Sequence, residues 1–154
     1  YASGAVMAPG GAWVAITGLG APEGGNLYVR GEVDIHITAR VNTQIETTGT
    51  LTARSWVEVA LVRTQAGAAD DVWNEMIEGP IRLAELASGT TTGNTSEWKQ
   101  YVFDTPAEAV PPGQWIFRIV ARVQGNPANA TARVKDRSMR LEIQEGTLET
   151  AVGT

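Results

Sequence analysis

The sequence predicts an all-β protein, an antiparallel two-sheet sandwich of jelly-roll type with about eight to ten strands. Three observations favour this class. Apolar and polar residues alternate over several stretches of about ten residues, which is the period of a strand with one buried face. Seventeen Gly and seven Pro punctuate these stretches with turn signals. No segment has the apolar period of a long helix.

The length and composition fit one globular domain. A chain of 154 residues can bury roughly two-thirds of its unfolded surface, and 43% hydrophobic with 19% charged residues is not the composition of a disordered protein. We assign residues 1–10 to an N-terminal arm or edge strand, 11–145 to the jelly-roll sandwich and 146–154 to a C-terminal tail. The absence of cysteine excludes disulfides and thiolate metal sites.

The charge distribution argues against two classes of partner. The formal net charge is −5 and the basic residues are scattered, so we expect no nucleic-acid partner. No stretch approaches the roughly 20 apolar residues of a membrane span, so we expect no membrane insertion.

The first half of the chain contains the longest regular alternation. Residues 11–19 are predicted to form a first strand that is apolar on both sides. The next strand places five apolar side chains toward the core, namely Val33, Ile35, Ile37, Ala39 and Val41. Residues 51–64 are again partly apolar on both faces, which indicates a central strand or one that faces a partner.

Residues 65–80 have a different character, and we expect a loop with a short helix or an irregular strand there. Trp73 and Met76 stand in otherwise polar surroundings, so they either plug one end of the sandwich or face a ligand. Asp70 and Asp71 precede them, and calcium binding at this pair lacks the spacing of a known calcium loop. These four residues form the predicted ligand or partner loop.

Residues 105–143 form the predicted closing unit of the domain. A Pro-Pro-Gly corner at 111–113 starts a strand over 114–123. A hairpin leads to a second run over 130–135, and an Asp-Arg corner at 136–137 leads to a third run over 138–143. Three antiparallel strands therefore complete the sandwich.

The strand over 114–123 has an unusual second face. Ile116 and Val120 point away from the side that carries Trp115, and they stand between Arg118 and Arg122. The solvent face of a monomer more often carries Thr, Lys or Glu. Apolar residues beside arginines indicate a subunit interface. The alternative is a flap, such as residues 1–10, that lies across them.

The candidate catalytic motifs are weak. Asp34 and His36 share a strand face, as in part of a nucleophilic triad, but no motif such as G-x-S-x-G or H-E-x-x-H accompanies them. A glycosidase needs two carboxyl groups at a defined separation. The candidates are Glu75, Glu78 and Asp104, and the sequence does not fix the distances between them. We therefore expect a protein that is not an enzyme and that needs no cofactor or metal.

The closing unit resembles a known family. The matching features are Asp-Thr-Pro at 104–106, Pro-Pro-Gly at 111–113, Ala-Thr-Ala-Arg-Val at 130–134 and Asp-Arg-Ser-Met-Arg-Leu-Glu-Ile at 136–143, within residues 98–145. This pattern resembles the C-terminal half of trimeric jelly-roll domains of bacteriophage virion proteins. Those domains are similar in fold to the tumour necrosis factor and complement globular-head superfamily.

The resemblance implies a homotrimer in which the sheet holding the first strand, the strand over 114–123 and the last strand faces the threefold axis. The residues it places near that axis are Ile116, Arg118, Val120, Arg122, Ser138, Arg140 and Glu142.

It also implies a structural, non-enzymatic component on the surface of a virion, either a capsid decoration or cement protein or a tail-fibre or spike tip. Such a component would bind other virion proteins or a host surface glycan. The alternative class is a carbohydrate-binding module attached to an enzyme, in which Trp73 or Trp98 stacks on a sugar ring.

Overall fold

The computed structural model describes residues 6–9, 11–16, 25–29, 31–65 and 72–144. Within these ranges the chain forms nine β-strands and one short 3-10 turn, Pro127–Asn129. The strands are β1 Val6–Pro9, β2 Val14–Ala15, β3 Gly25–Val29, β4 Val33–Thr47, β5 Ser55–Gln65, β6 Glu75–Leu86, β7 Lys99–Val110, β8 Gly113–Gln124 and β9 Ala130–Ile143. In this part of the chain no helix is long and apolar enough to cross a membrane.

The strands form two antiparallel sheets packed face to face. Sheet I has the order β1-β9-β4-β7, and sheet II has the order β2-β8-β5-β6, with β3 also paired to β8. The chain passes from β7 in sheet I to β8 in sheet II and back to β9 in sheet I, as Greek-key connections do in jelly rolls. The predicted fold class, an antiparallel β-sandwich, is confirmed.

The core lies between the two sheets, and β4 shows how the sequence builds it. Ile35, Ile37 and Ala39 are buried in the core, whereas the alternate residues His36 and Arg40 lie on the outer side of sheet I. The prediction for this strand is confirmed.

Sheet II carries apolar side chains on both of its sides, as the residues of its central strand β5 show. In β5, Val59 and Leu61 face the main core, while Ala60 and Val62 belong to a second buried cluster on the opposite side. Because β5 lies between β8 and β6, the prediction of a central strand is confirmed.

The predicted corner at Asp136-Arg137 is wrong, because the chain continues there as one strand, β9. The register against β4 shifts between the pairs Asn42 with Lys135 and Arg40 with Ser138. Asp136 has a φ of 48°, and this β-bulge inserts one extra residue. Because of the bulge, apolar residues face the core both before and after Asp136. They occupy even-numbered positions before it and odd-numbered positions after it.

Two other predicted elements differ in extent. Of the first strand predicted over 11–19, the described residues 11–16 contain β2 over Val14–Ala15, and residues 17–19 lie outside the described ranges. Of the two alternatives for residues 65–80, a strand is found from Glu75 onward, where β6 begins, and residues 66–71 lie outside the described ranges. Within residues 1–10, β1 pairs with β9 at the edge of sheet I. Residues 146–154 lie outside the described ranges.

Candidate functional site

The outer side of sheet II carries a buried apolar layer with its own cover. Ala60, Val62 and Val120 are fully buried on this side. Trp13 and Trp73 pack over them, as does Met76. The cover therefore comes from Trp13, just before β2, and from residues 72–76 of the same chain.

The structure places the predicted interface residues of β8 on this side of sheet II. Ile116, Val120 and Arg118 are buried, and Arg122 is half-buried at the surface. Residues 1–10 are the predicted alternative cover, but Val6–Pro9 pair with β9 at the edge of sheet I. The side chains that pack over the Val120 cluster are those of Trp13, Trp73 and Met76. Any contact with another chain would therefore involve the cover and Arg122 before it reached Val120.

The structure does not bring the predicted interface residues of β8 and β9 together. Ser138, Arg140 and Glu142 lie in β9, which belongs to sheet I, whereas β8 belongs to sheet II. Arg140 and Glu142 are exposed and form an ion pair of 3.2 Å with each other. The outer sides of the two sheets face in opposite directions, so one flat interface does not include both sets.

Aromatic rings and guanidinium groups lie side by side over the buried layer. The rings of Trp13 and Trp73 meet edge to face, with centroids 6.0 Å apart. Arg122 stacks over Trp13 at 4.1 Å and forms an ion pair of 2.8 Å with Glu58. Such cation–π contacts add roughly 0.5 to 1 kcal/mol each at exposed sites.

The same network continues along β5 to the far end of the sheet. Arg82 stacks over Trp56 at 3.8 Å, and the indole N–H of Trp56 donates to Glu58 over 3.2 Å. Glu85 accepts from both Arg82 and Arg54. We call the surface formed by Trp13, Trp56, Trp73, Met76, Arg82 and Arg122 the outer aromatic face.

The predicted ligand loop is described only in part. Trp73 and Met76 are half-buried and belong to the outer aromatic face, so they cover the side of sheet II and do not plug an end of the sandwich. Asp70 and Asp71 lie outside the described residues.

His36 pairs with a carboxylate other than Asp34, its neighbour in the sequence. Nε2 of His36 lies 2.6 Å from Oδ1 of Asp104 on the adjacent strand β7. Both side chains are partly or fully exposed on the outer side of sheet I. The described ranges hold no group of three His, Cys, Asp or Glu side chains arranged for a metal ion.

The other candidate carboxylates also have partners within the chain. Tyr101 of β7 donates its hydroxyl hydrogen bond to Glu78 of β6, and this bond raises the pKa of the Tyr101 phenol to about 12. Glu75 of β6 accepts a hydrogen bond from Nη2 of Arg63 over 2.8 Å.

Glu108 is the residue that sequence reasoning missed. It pairs in register with Ile35, whose side chain is in the core, and cross-strand partners point to the same side of a sheet. Burial, then the neighbouring Glu75, raises the pKa of Glu108 to about 7. The bond from Glu108 lowers the pKa of Glu75.

Arg63 completes this group from sheet II. It is only 7% exposed, its guanidinium lies 4.3 Å from the centroid of Trp115, and its Nη2 donates to Glu75 over 2.8 Å. Its Nε and Nη1 atoms have no hydrogen-bond partner in the described part of the chain. We call Arg63, Glu75 and Glu108 the inter-sheet carboxyl cluster.

The similarity of this chain to known proteins is distant. No protein-family model matches the chain, and no curated protein matches it. A solved polysaccharide lyase family 18 structure, aly-SJ02 r-CATD, is similar with 11% identity, covering 75% of this chain and 76% of its own, at a TM-score of 0.32.

Two further structures give the same result. A protein of infectious bursal disease virus, Gt strain, has 10% identity over 94% of this chain and 34% of its own, at a TM-score of 0.32. The Eiger TNF from S. frugiperda has 14% identity over 88% of this chain and 93% of its own, at a TM-score of 0.22. These neighbours are β-sandwich or jelly-roll-like.

Proposed function

We propose that this chain is a non-enzymatic structural domain of a virion surface, where it works as a homotrimer through the outer aromatic face. The observation that carries the proposal is the composition of that face. Trp, Met and Arg are the residues most enriched in protein–protein contacts, and here three Trp, one Met and two Arg lie together on one side of one sheet.

The organisation of the face also suits a contact between folded chains. Its base of Ala60, Val62 and Val120 is buried, so the surface is formed before a partner arrives. A preformed surface loses less conformational freedom on association than one that must first become ordered. The resemblance of residues 98–145 to virion jelly-roll domains supplies the virion setting and the expected threefold symmetry.

The geometry favours this role over carbohydrate binding. A sugar stacks on the open face of an aromatic ring, but Arg122 lies over Trp13 and Arg82 lies over Trp56. Trp98, just before β7, is likewise next to a cation, with Nζ of Lys135 4.1 Å from its ring centroid. We expect Trp73→Ala to leave glycan binding on an array at the level of the unmodified protein.

The non-enzymatic part of the proposal has a test of its own. The carboxylates of Glu78 and Asp104 are hydrogen-bonded to Tyr101 and His36. Hydrolysis of any ester or glycoside substrate that His36→Ala abolishes would contradict this part of the proposal.

The experiment that tests the assembly is a mass measurement with a matched pair of variants. Val72, next to Trp73, is 55% exposed, and Val102 on the outer side of sheet I is 48% exposed. Glutamate at either position remains in water, so both variants are expected to fold. We expect a trimer for the unmodified chain at micromolar concentration and for Val102→Glu, and a trimer weakened at least about tenfold in Val72→Glu.

Two results would contradict the proposal. One is a monomer for the unmodified chain at micromolar concentration. The other is a trimer that Val102→Glu disrupts and Val72→Glu leaves intact, because this would place the contact on sheet I.

A further inference from the structure

The outer side of sheet I carries opposite charges at its two ends. The register shows which residues lie on this side, because cross-strand partners point to the same side of a sheet and alternate residues of one strand share a side. The side that holds His36 and Arg40 therefore also holds their register partners on β9 and β7. We call the outer side of strands β9, β4 and β7 the charged face.

One end of the charged face is acidic. In the described part of the chain it carries three carboxylates, Asp34 of β4, Asp104 of β7 and Glu142 of β9, with one guanidinium, that of Arg140. The side chains of Asp104 and Glu142 are 64% and 55% exposed. Although they bond to His36 and Arg140, both carboxylates therefore remain accessible to another molecule.

The other end of the charged face is basic. Among the described residues it carries three cations, Arg40 of β4 and Arg133 and Lys135 of β9, with one carboxylate, that of Glu46. Arg133 lies 3.5 Å from Glu46. Nζ of Lys135 lies 4.1 Å from the centroid of the Trp98 ring, a cation–π contact that holds the ammonium group at this end of the face.

We propose that the charged face binds the charged face of a second copy of the chain, about a two-fold axis that lies between the two faces and runs across the strands. In this arrangement β4 lies over β4 of the second copy in the opposite direction, so the acidic end of each copy lies over the basic end of the other. Because both copies use the same surface, the contact closes after two copies. This inference goes beyond the proposed function, which concerns the opposite side of the sandwich.

The register predicts which charges meet. Ala39 of β4 lies midway between the acidic and the basic residues, so we place the axis across β4 at Ala39. His36 and Asn42, each three residues away from Ala39, then lie over each other in the two copies. Their register partners on β9 are Glu142 and Lys135. The carboxylate of Glu142 therefore lies over the ammonium group of Lys135 of the second copy, and the reverse pair forms as well.

The charges also select this arrangement over the other two-fold arrangement of the same faces. An axis along the strands would place acidic end over acidic end and basic end over basic end, and juxtaposed like charges are strongly unfavourable. With the axis across the strands, Asp34 lies next to Arg133 of the second copy, and Asp104 lies next to Arg40 of the second copy.

The size of the charged face indicates a weak contact. Its three strands contain 12 to 15 residues each. Strands about 4.8 Å apart that rise about 3.3 Å per residue offer roughly 600 Å² on each copy. A total of roughly 1,200 Å² is the lower limit of a standard interface. Val102, which is 48% exposed and pairs with Arg40 in the register, adds apolar area near the axis.

The direct test is sedimentation equilibrium of the unmodified chain at about 20 mM and about 500 mM NaCl, where the Debye length is about 20 Å and about 4 Å. We expect the copies to associate through the charged face with a dissociation constant at least about tenfold lower at low salt. The net charge of −5 would by itself make the copies repel each other more at low salt. Association that is absent at both salt concentrations, or tighter at high salt, would overturn the proposal.

Two charge reversals test the pairing itself. Lys135→Glu and Glu142→Lys each place like charges over each other in the contact, so we expect each variant alone to lose the low-salt association. An equal mixture of the two restores opposite charges in both pairs and should associate like the unmodified chain. A mixture that associates no better than its components would contradict the pairing, because restoration by mixing requires two folded variants in contact.

Two further variants serve as controls. The double variant Lys135→Glu with Glu142→Lys again has opposite charges in both pairs, so it should associate with itself. Glu97→Lys changes the charge as Glu142→Lys does, at a side chain before β7 that is 90% exposed, and it should keep the low-salt association. A loss in Glu97→Lys equal to that in Glu142→Lys would assign the effect to net charge and refute the proposal.

The same experiment separates this inference from the proposed function. The mass at high salt gives the unit that exists without the charged face, and the proposed function expects that unit to be a trimer. If the unit is a monomer, the proposed function fails, while a dimer at low salt that the charge reversals abolish still supports the contact between charged faces.

Discussion

The outer sides of the two sheets follow different rules. On sheet I the strand β4 alternates in the ordinary way, with Ile37 in the core and Arg40 in solvent. On sheet II the outer side of β5 carries Ala60 and Val62, which are buried under a cover from the same chain. An apolar second face in a sequence therefore indicates a covering layer, which either a partner chain or another segment of the same chain can supply.

The largest effect is expected from a charge placed under that cover. Val120→Asp would bury a carboxylate in an apolar layer, and we expect it to reduce the free energy of unfolding by more than about 4 kcal/mol. Ser138→Asp on sheet I faces Arg40 across the strands and should change stability by less than about 0.5 kcal/mol. Urea unfolding of both variants measures the difference, and equal losses would mean that the two outer faces are equivalent.

The connection between the sheets should be the next most sensitive. Gly125, after β8, has a φ of +96°, and a Cβ there would stand 2.1 Å from the carbonyl oxygen of Arg54. Gly89 has a similar φ of +87° but open space around it. We expect Gly125→Ala to cost about 3 kcal/mol or more and Gly89→Ala about 1 kcal/mol. Thermal unfolding that gives equal losses would exclude the close approach as the cause.

The smallest effect is expected at the edge where the two sheets meet. Tyr101→Phe removes the hydroxyl that bonds Glu78 but keeps the ring beside Phe103. Because a hydrogen bond to a partly exposed carboxylate has a modest net contribution, we expect a loss of about 1 to 2 kcal/mol. Absorbance titration at alkaline pH should also lose one phenol that ionises near 12. A variant that keeps this late step would assign it to another tyrosine.

Much of the fold could be predicted from the sequence because it depends on local alternation. The core positions of β4 and the two-sided apolar character of β5 follow from a period of two. The bulge at Asp136 could not be predicted from composition. One inserted residue exchanges the core-facing and outward-facing positions of all later residues in the strand, and the residue types remain the same. The same applies to Glu108, which lies beyond a register shift in β7.

The sequence predicted which residue types form the candidate site, but not which segments of the chain come together there. Ile116, Val120 and Trp73 stood out in the sequence as apolar residues in unexpected places, and all three lie on the outer side of sheet II or in its cover. Which segment covers which face is a long-range pairing that no local pattern contains. For the same reason, the partner of His36 is Asp104, 68 residues away, and not Asp34.

Strands β6 and β7 carry residues that oppose pairing with a strand of another chain. Strand β6 is one edge strand of sheet II, and β7 is one edge strand of sheet I. Unpaired edge strands are templates for aggregation. Here Pro80 in β6 and Pro106 in β7 each remove a backbone donor, and charged residues such as Arg82 stand along the same edge. The edge strands β6 and β7 are therefore poor templates for a strand from another copy of the chain.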